Sequence, residues 1–340
     1  MGGLRKMDER KNKLQGYLLI LLTTLIFSTM EVALKMPAIS GAFAPMQITL
    51  ERFLIGGLVL LPFAARDRRR RGVALTGKDH RRLMLTGLFC VPISMVFYQM
   101  AVVYGKAGIV GILFSSNPIF VTILAAAILG EKIRWYHIVG IVLEILGIVA
   151  IINPFSPGAD ISMVSVILVA CSTVTFALYC VLGKGMTARC GGLTVTCGSF
   201  VYGGIELLTL LLLGYLPPVA NFLQRVGLDI FCRVPFFSGF TLQTLPYFLY
   251  ICLVVTMFGY ICHMSAIEKT SASTGGLVFF FKPALAPVIA LIVLGEPITQ
   301  NVLIGIGFFL TGSFARIVPD ILSERRAATA AQTETVRPEE

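Results

Sequence analysis

Lys282 is the residue with the clearest capacity for chemistry in this sequence, because it stands in the middle of a long apolar stretch. A cation at the centre of a helix surrounded by lipid costs about 2.5–3.5 kcal/mol on insertion scales, so it requires an anion nearby. That anion could be the carboxylate of a bound solute or a carboxylate of the protein. Lys282 therefore predicts either a substrate-binding group or a buried structural ion pair.

Other charged residues also fall within apolar stretches. They are Glu31, Glu51, Arg52, Glu144 and Glu206. Acids outnumber bases here, and burial favours the neutral form of a carboxyl group, so one of them could carry a proton. We interpret Glu51 and Arg52, which are adjacent, as a local pair. Glu144 is expected to face a helix contact or the cavity, because Gly140 and Gly147 flank it and small residues let helices approach closely.

Two prolines, Pro118 and Pro283, interrupt apolar stretches near their middles. Each removes a backbone donor, and a freed carbonyl inside a membrane is tolerated where it meets protein or a water-lined cavity. The prolines therefore predict either packing kinks or gating helices around a central cavity. The other candidate lining residues are Tyr98, Gln99, Asn117, Tyr179, Tyr260 and His263. His263 is either a packing residue or a proton carrier.

The elements that must position these residues are membrane-spanning helices. Hydrophobic residues make up 56% of the chain and charged residues 14%, and the mean hydropathy is +0.85. A soluble domain carries about 25% charged residues. Ten stretches reach the roughly 20 apolar residues that a helix needs to cross a bilayer. They cover residues 16–35, 46–65, 83–104, 107–129, 135–153, 161–183, 194–214, 246–266, 272–294 and 299–317.

Basic residues indicate how these spans are oriented. Alternate connections collect most of the lysines and arginines, including the run between Arg66 and Arg71. The positive-inside rule then places both termini in the cytoplasm of a multi-pass inner (plasma) membrane protein. Since the orientation of the chain in the lipid bilayer explains its excess of basic residues and its net charge of +10, no nucleic-acid partner is expected.

The sequence lacks the signatures of several enzyme classes. It contains no HExxH metal motif and no Walker phosphate loop, and its eight cysteines form no CxxC pair. All six aspartates fall outside the predicted spans, which argues against an intramembrane aspartyl protease. We therefore expect no catalytic residue, no bound metal and no cofactor.

One long segment of the chain occurs twice. A shift of 165 residues places Ala101–Gly147 on Ala266–Gly312, and Leu129-Gly130-Glu131 then coincides with Leu294-Gly295-Glu296. With five spans in each copy, two copies in series must cross the membrane in opposite directions, as alternating-access carriers do. The predicted fold is therefore an all-α integral membrane protein, with ten transmembrane helices arranged as two inverted five-helix repeats.

The domain boundaries follow from the duplication. We predict a basic cytoplasmic N-terminus at 1–15, repeats at 16–153 and 161–317, an external linker at 154–160 and a disordered cytoplasmic tail at 318–340. Glu131 and Glu296 close the fourth and ninth helices and are expected to be solvated there.

Several of these features resemble a known family. Two copies of five helices, each with Leu-Gly-Glu closing its fourth helix, resemble the EamA-type branch of the drug/metabolite transporter (DMT) superfamily. Arg52-Phe53 and the matched Pro118 and Pro283 are similar to features of that family. The resemblance implies a ten-helix metabolite transporter, often an exporter of amino acids or related small solutes. Lys282 departs from the pattern, since many relatives carry an acidic or neutral residue before the second proline.

The resemblance further implies that helices one and nine line one cavity, which would make Glu31 the partner of Lys282; otherwise Glu31 faces solvent at the outer mouth. The leading hypothesis is a secondary active transporter that exports a small carboxylate-bearing metabolite, such as an amino acid, by alternating access. The alternatives are a flippase or exporter of an amphipathic or lipid-linked solute, and a membrane-embedded enzyme. Proton coupling is left open, and a monomer or homodimer is expected.

Overall fold

A computed structural model describes residues 2–153 and 161–334, and the regular structure in these residues is helical. Nine segments of the described chain are long and apolar enough to cross a membrane. We label them α1 (Leu14–Lys35), α2 (Pro45–Arg71), α3 (Gly77–Tyr104), α4 (Ala107–Leu129), α5 (Trp135–Ile152), α6 (Met163–Cys190), α7 (Gly192–Leu213), α8 (Leu245–Lys269) and α9 (Ala272–Leu294). A short helix, Pro217–Arg225, lies in the long connection between α7 and α8.

The last helix, α10, runs from Gln300 to Glu334 and includes residues 300–317 of the tenth predicted span. This span is not one of the nine described segments that are long and apolar enough to cross a membrane. Disorder was expected from residue 318, but the structure continues α10 as a helix to Glu334. Its alanine-rich end, residues 327–331, explains the difference, because alanine is the best helix former and extending an existing helix avoids nucleation. The predicted linker 154–160 and the tail residues 335–340 lie outside the described residues.

Three helices are interrupted where the candidate residues cluster. In α4, Ala107–Phe114 ends and Asn117–Leu129 begins. In α9, a short first turn and a 3₁₀ turn ending at Phe279 precede Lys282–Leu294. Pro118 and Pro283 each occupy the first turn of the second segment, where a missing N–H costs nothing. The predicted kinks are therefore short interruptions, in which turn residues with helical backbone angles join the two segments. In α1, the helix stops at Phe27 and resumes at Met30.

The two copies also share a distortion in their third helices. Phe89–Met95 of α3 and Tyr250–Phe258 of α8 are π-helical. π-Helical turns are rare and often lie at functional sites. Both stretches directly precede candidate residues, Tyr98 in α3 and Tyr260 in α8.

The equivalent helices α4 and α9 run antiparallel to each other. Glu131, just after the end of α4, contacts the beginning of α9, and Glu296, just after the end of α9, contacts the beginning of α4. Helices that the 165-residue shift makes equivalent therefore point in opposite directions, as an inverted repeat requires.

The fifth helix of each copy packs on the other through glycines. A Cβ atom at Gly140 of α5 would lie 2.8 Å from the carbonyl oxygen of Gly312 in α10. A Cβ atom at Gly147 would lie 2.8 Å from the Phe309 ring and 3.1 Å from the carbonyl oxygen of Gly305. The glycine spacing seen in the sequence is thus a close helix–helix contact.

Candidate functional site

Lys282 and Glu31 meet at the centre of the molecule. Lys282 is the first residue of the second segment of α9, and Glu31 follows the break in α1. Lys282 Nζ lies 2.6 Å from Glu31 Oε1, and both side chains are fully buried. At this distance the ammonium and the carboxylate form a close ion pair. The structure therefore pairs these two residues and encloses them away from solvent.

The space for this carboxylate comes from Gly111 in the first segment of α4. A Cβ atom at Gly111 would lie 2.7 Å from Ala286 Cβ and 3.3 Å from Glu31 Oε1. Any larger residue would push Glu31 away from α4. The broken segments of α1, α4 and α9 thus contribute jointly to one site.

Three aromatic rings surround the Lys282 ammonium. Lys282 Nζ lies 5.1 Å from the ring centroid of Phe114, 5.8 Å from that of Phe279 and 5.9 Å from that of Tyr98. Such distances allow cation–π attraction. Because Lys282 also stands at a helix N-terminus, where the helix dipole repels a cation, this position favours an anion beside it.

The other predicted lining residues join the same aromatic core. The Phe176 ring lies 5.3 Å from Phe114, and it contacts Tyr179 at 5.5 Å, Tyr260 at 5.9 Å and His263 at 5.8 Å. Packing partners are evident for two of these residues: Tyr260 Oη donates to Met95 Sδ at 3.0 Å, and His263 Nε2 lies 3.4 Å from Cys180 Sγ.

Several polar atoms in this core have no hydrogen-bond partner among the described residues. They are Tyr98 Oη, Gln99 Oε1, Asn117 Oδ1, Tyr179 Oη and His263 Nδ1. Buried polar groups are normally paired, because an unpaired one costs about 1–3 kcal/mol. Asn117 is half satisfied, since its Nδ2 donates to Thr173 O at 3.0 Å. Unpaired groups concentrated at one place mark where a ligand or water would bind.

The structure corrects the interpretation of Arg52. Its guanidinium does not pair with Glu51, which instead accepts a hydrogen bond from Gln47 at 3.0 Å. Arg52 is fully buried, its Cζ lies 4.6 Å from the Phe53 ring centroid, and its Nη1 lies 3.8 Å from Met30 Sδ. Neighbours in sequence point to different faces of a helix, so adjacency was a poor guide to pairing.

A second buried arginine, Arg316 of α10, was not among the charged residues singled out from the sequence, because it lies near the end of the last predicted span. It lies 3.2 Å from Glu144 Oε1, and its Nη2 donates to Thr122 Oγ1 at 2.8 Å and to Pro118 O at 3.2 Å. Glu144 faces a helix contact, one of the two readings open from the sequence. The carbonyl of the α4 proline is thereby tied to α10.

Glu296 caps the beginning of α4. Its carboxylate accepts hydrogen bonds from the amides of Ala107 at 2.9 Å and Gly108 at 3.0 Å, and Lys35 Nζ lies 3.2 Å away. Lys35 also donates to the carbonyl of Gly105 at the end of α3. We call these five residues the Glu296 cluster.

Glu131 does the same for α9 at the opposite end of the molecule. It accepts hydrogen bonds from the amide of Ala272 at 3.3 Å and from Ser273 Oγ at 2.5 Å. Lys184 donates to the carbonyl of Thr270 at 2.7 Å. These five residues form the Glu131 cluster. Glu131 and Glu296 were expected to be solvated, but each caps a helix of the other repeat.

The two clusters are related by the duplication. The 165-residue shift converts Glu131 into Glu296, and it converts Ala107 and Gly105 into Ala272 and Thr270. Carboxylates at helix N-termini are stabilising because they satisfy free amides and complement the dipole. The same device therefore closes α4 at one end of the bundle and α9 at the other.

A separate groove lies between α3, α4, α6 and α7. It encloses a cavity of about 830 Å³ whose walls are mostly apolar. Its lining includes Arg81, Arg82, Met84, Leu85, Thr86, Leu88, Ile128, Leu129, Val181, Leu182, Gly185, Met186 and Glu206. Met84, Leu85 and Ile128 are exposed, so this groove opens sideways toward the surface that lipid would cover.

Relatives of the chain are transporters. It is 38% identical to an "Uncharacterized transporter" of Clostridium kluyveri over 88% of this chain and 92% of that protein. It is 27% identical to a "Probable terminal-alkyne amino-acid exporter" of Streptantibioticus cattleyicolor over 64% of this chain and 67% of that protein. A crystal structure of another protein shares the fold with a TM-score of 0.61 at 16% identity, covering 89% of this chain and 96% of that one.

The family match covers both copies of the duplication. The EamA-like transporter family matches residues 14–153 and again residues 163–316. The two matched ranges contain the ion pair, the three interrupted helices and both capping clusters. This multi-pass membrane protein belongs to the EamA-like transporter family.

Proposed function

We propose that the protein is a secondary active transporter that moves a small carboxylate-bearing metabolite, such as an amino acid, by alternating access. The observation that carries this proposal is the buried Lys282–Glu31 pair, placed where three helices are interrupted. Discontinuous helices at the bilayer midplane form the substrate sites of many secondary transporters. A charged pair in that position is a functional site by default.

The chemistry of binding would be an exchange of partners. A carboxylate of the substrate replaces Glu31 beside Lys282, and the amino group of a zwitterion then neutralises Glu31. Each charge keeps a partner, so the large cost of an unpaired buried charge never arises. In the structure the two charges neutralise each other and are enclosed away from solvent.

The two clusters would serve as the gates. In this proposal the Glu296 cluster at the start of α4 closes one side of the site, and the Glu131 cluster at the start of α9 closes the other. Opening one side separates a helix N-terminus from its capping carboxylate, while the other side stays capped. Because the duplication repeats the capping glutamate and the capped alanine in both clusters, we expect the two open states to have similar energies, as alternating access requires.

Export is the direction we favour, because a relative is named as an amino-acid exporter. The distribution of basic residues supports cytoplasmic termini in the inner (plasma) membrane. Proton coupling and a monomeric or homodimeric state remain part of the proposal.

The test begins with purified wild-type protein and a thermal-shift panel of amino acids and small carboxylates. Solutes that stabilise the protein are then loaded into proteoliposomes, and their efflux is compared for Lys282→Ala and for the exposed control Lys78→Ala. We expect Lys282→Ala to abolish transport and Lys78→Ala to retain it. Wild-type rates in Lys282→Ala would overturn the proposed role of this lysine.

The sideways-open groove favours a second candidate, the flipping of an amphipathic solute. Arg81 and Arg82 would hold an anionic head group while Met84 and Leu85 contact its apolar part. A fluorescent-lipid translocation assay in proteoliposomes separates the candidates. Translocation that Arg81→Gln slows and Lys282→Ala leaves unchanged would favour flipping over metabolite transport.

A further inference from the structure

Arg52 of α2 is a buried cation without an anion. Its side chain is fully enclosed, and its Nε and Nη2 have no hydrogen-bond partner among the side chains and backbone that the structure describes. No carboxylate among those described side chains lies within 4.0 Å of it. Its contacts are the Phe53 ring and Met30 Sδ. A ring and a thioether attract a cation but do not neutralise it, and a buried charge normally requires a counter-charge.

Arg52 lies in the same buried region of the protein as the Lys282–Glu31 pair, which we call the compartment. Met30, which it contacts, directly precedes Glu31. The hydroxyl groups of Tyr98 and Tyr260 lie within electrostatic range of both Arg52 and Glu31. Tyr98 also forms one wall around the Lys282 ammonium. Tyr98 therefore lies near both cations.

Each of the two π-helical stretches contributes a residue near Arg52. Cys90 of the α3 stretch and Cys252 of the α8 stretch are its electrostatic neighbours. Both π-helical stretches thus contribute a residue near this guanidinium, and π-helical turns are frequent at functional sites. A purely structural arginine would not explain why its Nε and Nη2 donors stay unused.

The charges of this compartment do not balance. Lys282 and Glu31 neutralise each other, which leaves the guanidinium of Arg52 uncompensated. We propose that Arg52 is a second anion-binding group of the substrate site, and that the site selects solutes of net charge −1 with two acidic groups and one amino group. This inference rests on the proposed transport function and names its substrate class.

Such a solute would satisfy all three protein charges. One carboxylate binds Arg52 through two parallel N–H donors, the geometry that a guanidinium offers and an ammonium does not. The second carboxylate binds Lys282, and the amino group binds Glu31. The loaded compartment is then neutral, whereas a simple zwitterion leaves one positive charge unpaired.

Wild-type protein alone can overturn this inference. The assay is inhibition of transport in proteoliposomes, or thermal shift, by the near-isosteric pairs aspartate and asparagine, and glutamate and glutamine. We expect the acidic member of each pair to bind about tenfold more tightly, which corresponds to roughly 1.4 kcal/mol. Equal binding within each pair overturns the inference but leaves the proposed function intact. Failure of every carboxylate solute to bind overturns both.

The variant test assigns the selectivity to Arg52. In Arg52→Gln the compartment loses its excess positive charge, so the preference for glutamate over glutamine is expected to fall to about one. Arg52→Lys is expected to retain a reduced preference, since it keeps the charge without the two parallel donors. Arg225→Gln removes an exposed arginine from the connection between α7 and α8 and should retain the wild-type ratio. An unchanged ratio in folded Arg52→Gln contradicts the assignment, and the wild-type ratio decides if that variant does not fold.

Discussion

Replacing Glu296 with glutamine should bias the transporter toward opening at the end where α4 begins. Glu296 accepts two amide hydrogen bonds from α4 and lies 3.2 Å from Lys35. Glutamine retains one acceptor oxygen and loses the charge, hence one bond to an ionised group, worth about 1.5–3 kcal/mol. The half-buried pair with Lys35 contributes no more than about 1 kcal/mol. A loss of about 1.5–3 kcal/mol corresponds to a shift of roughly 10- to 150-fold in the opening equilibrium.

Hydrogen exchange followed by mass spectrometry in lipid nanodiscs measures this shift. The informative amides lie beyond the first turn, at 110–114 in α4 and at the equivalent 275–279 in α9, because their partners are not Glu296 itself. In Glu296→Gln, exchange at 110–114 should accelerate by at least about tenfold while exchange at 275–279 slows or stays unchanged. Slowing is expected because population moves away from the state in which α9 is released.

Glu131→Gln is the matched control, since it removes the equivalent cap from α9. It should produce the opposite pattern, with faster exchange at 275–279. The double variant should populate both open states at the expense of the occluded one. If each single variant accelerated both segments equally, or neither, the clusters would be structural caps and the gating assignment would fail.

Two further predictions concern stability. Lys282→Met leaves Glu31 buried without a partner and should cost about 3–5 kcal/mol, whereas the double variant with Glu31→Gln should recover most of the melting temperature without recovering transport. If the double variant were as unstable as the single one, Glu31 and Lys282 would not be partners of each other alone. Gly140→Ala places a methyl group 2.8 Å from the carbonyl oxygen of Gly312 and should cost about 1–3 kcal/mol. Gly307→Ala is the control, because its Cβ atom meets open space; equal melting temperatures for the two variants would contradict the close contact.

The sequence predicts the helical architecture well because its signals are local. Apolar stretches have the length of a bilayer, and the 165-residue shift relates helices without any knowledge of contacts. The need of Lys282 for an anion also follows from its surroundings in the chain alone. Glu31 could be named only as a candidate partner, since the choice between pairing and solvent exposure depends on how α1 is broken.

The capping of one helix by a distant glutamate could not be predicted from such local signals in the sequence. Glu131 and Ala272 are 141 residues apart, and Glu296 and Ala107 are 189 residues apart. A glutamate after a helix C-terminus is ordinarily solvated, and only the tertiary arrangement turns it into a cap for another helix. One signal was present, because the duplication preserves both the glutamates and the alanines that they cap.

The duplication preserves residues of the proposed gates and varies residues of the proposed substrate site. The gates need matched energies, and the 165-residue shift repeats the capping glutamate and the capped alanine of each cluster. The substrate site needs distinct groups for distinct charges, and there the copies differ: Lys282 corresponds to Asn117. A site made symmetrical by two lysines would add a second unpaired cation, and one made symmetrical by two asparagines would leave Glu31 unpaired. An inverted carrier for a polar, asymmetric solute therefore requires symmetry at its ends and asymmetry at its centre.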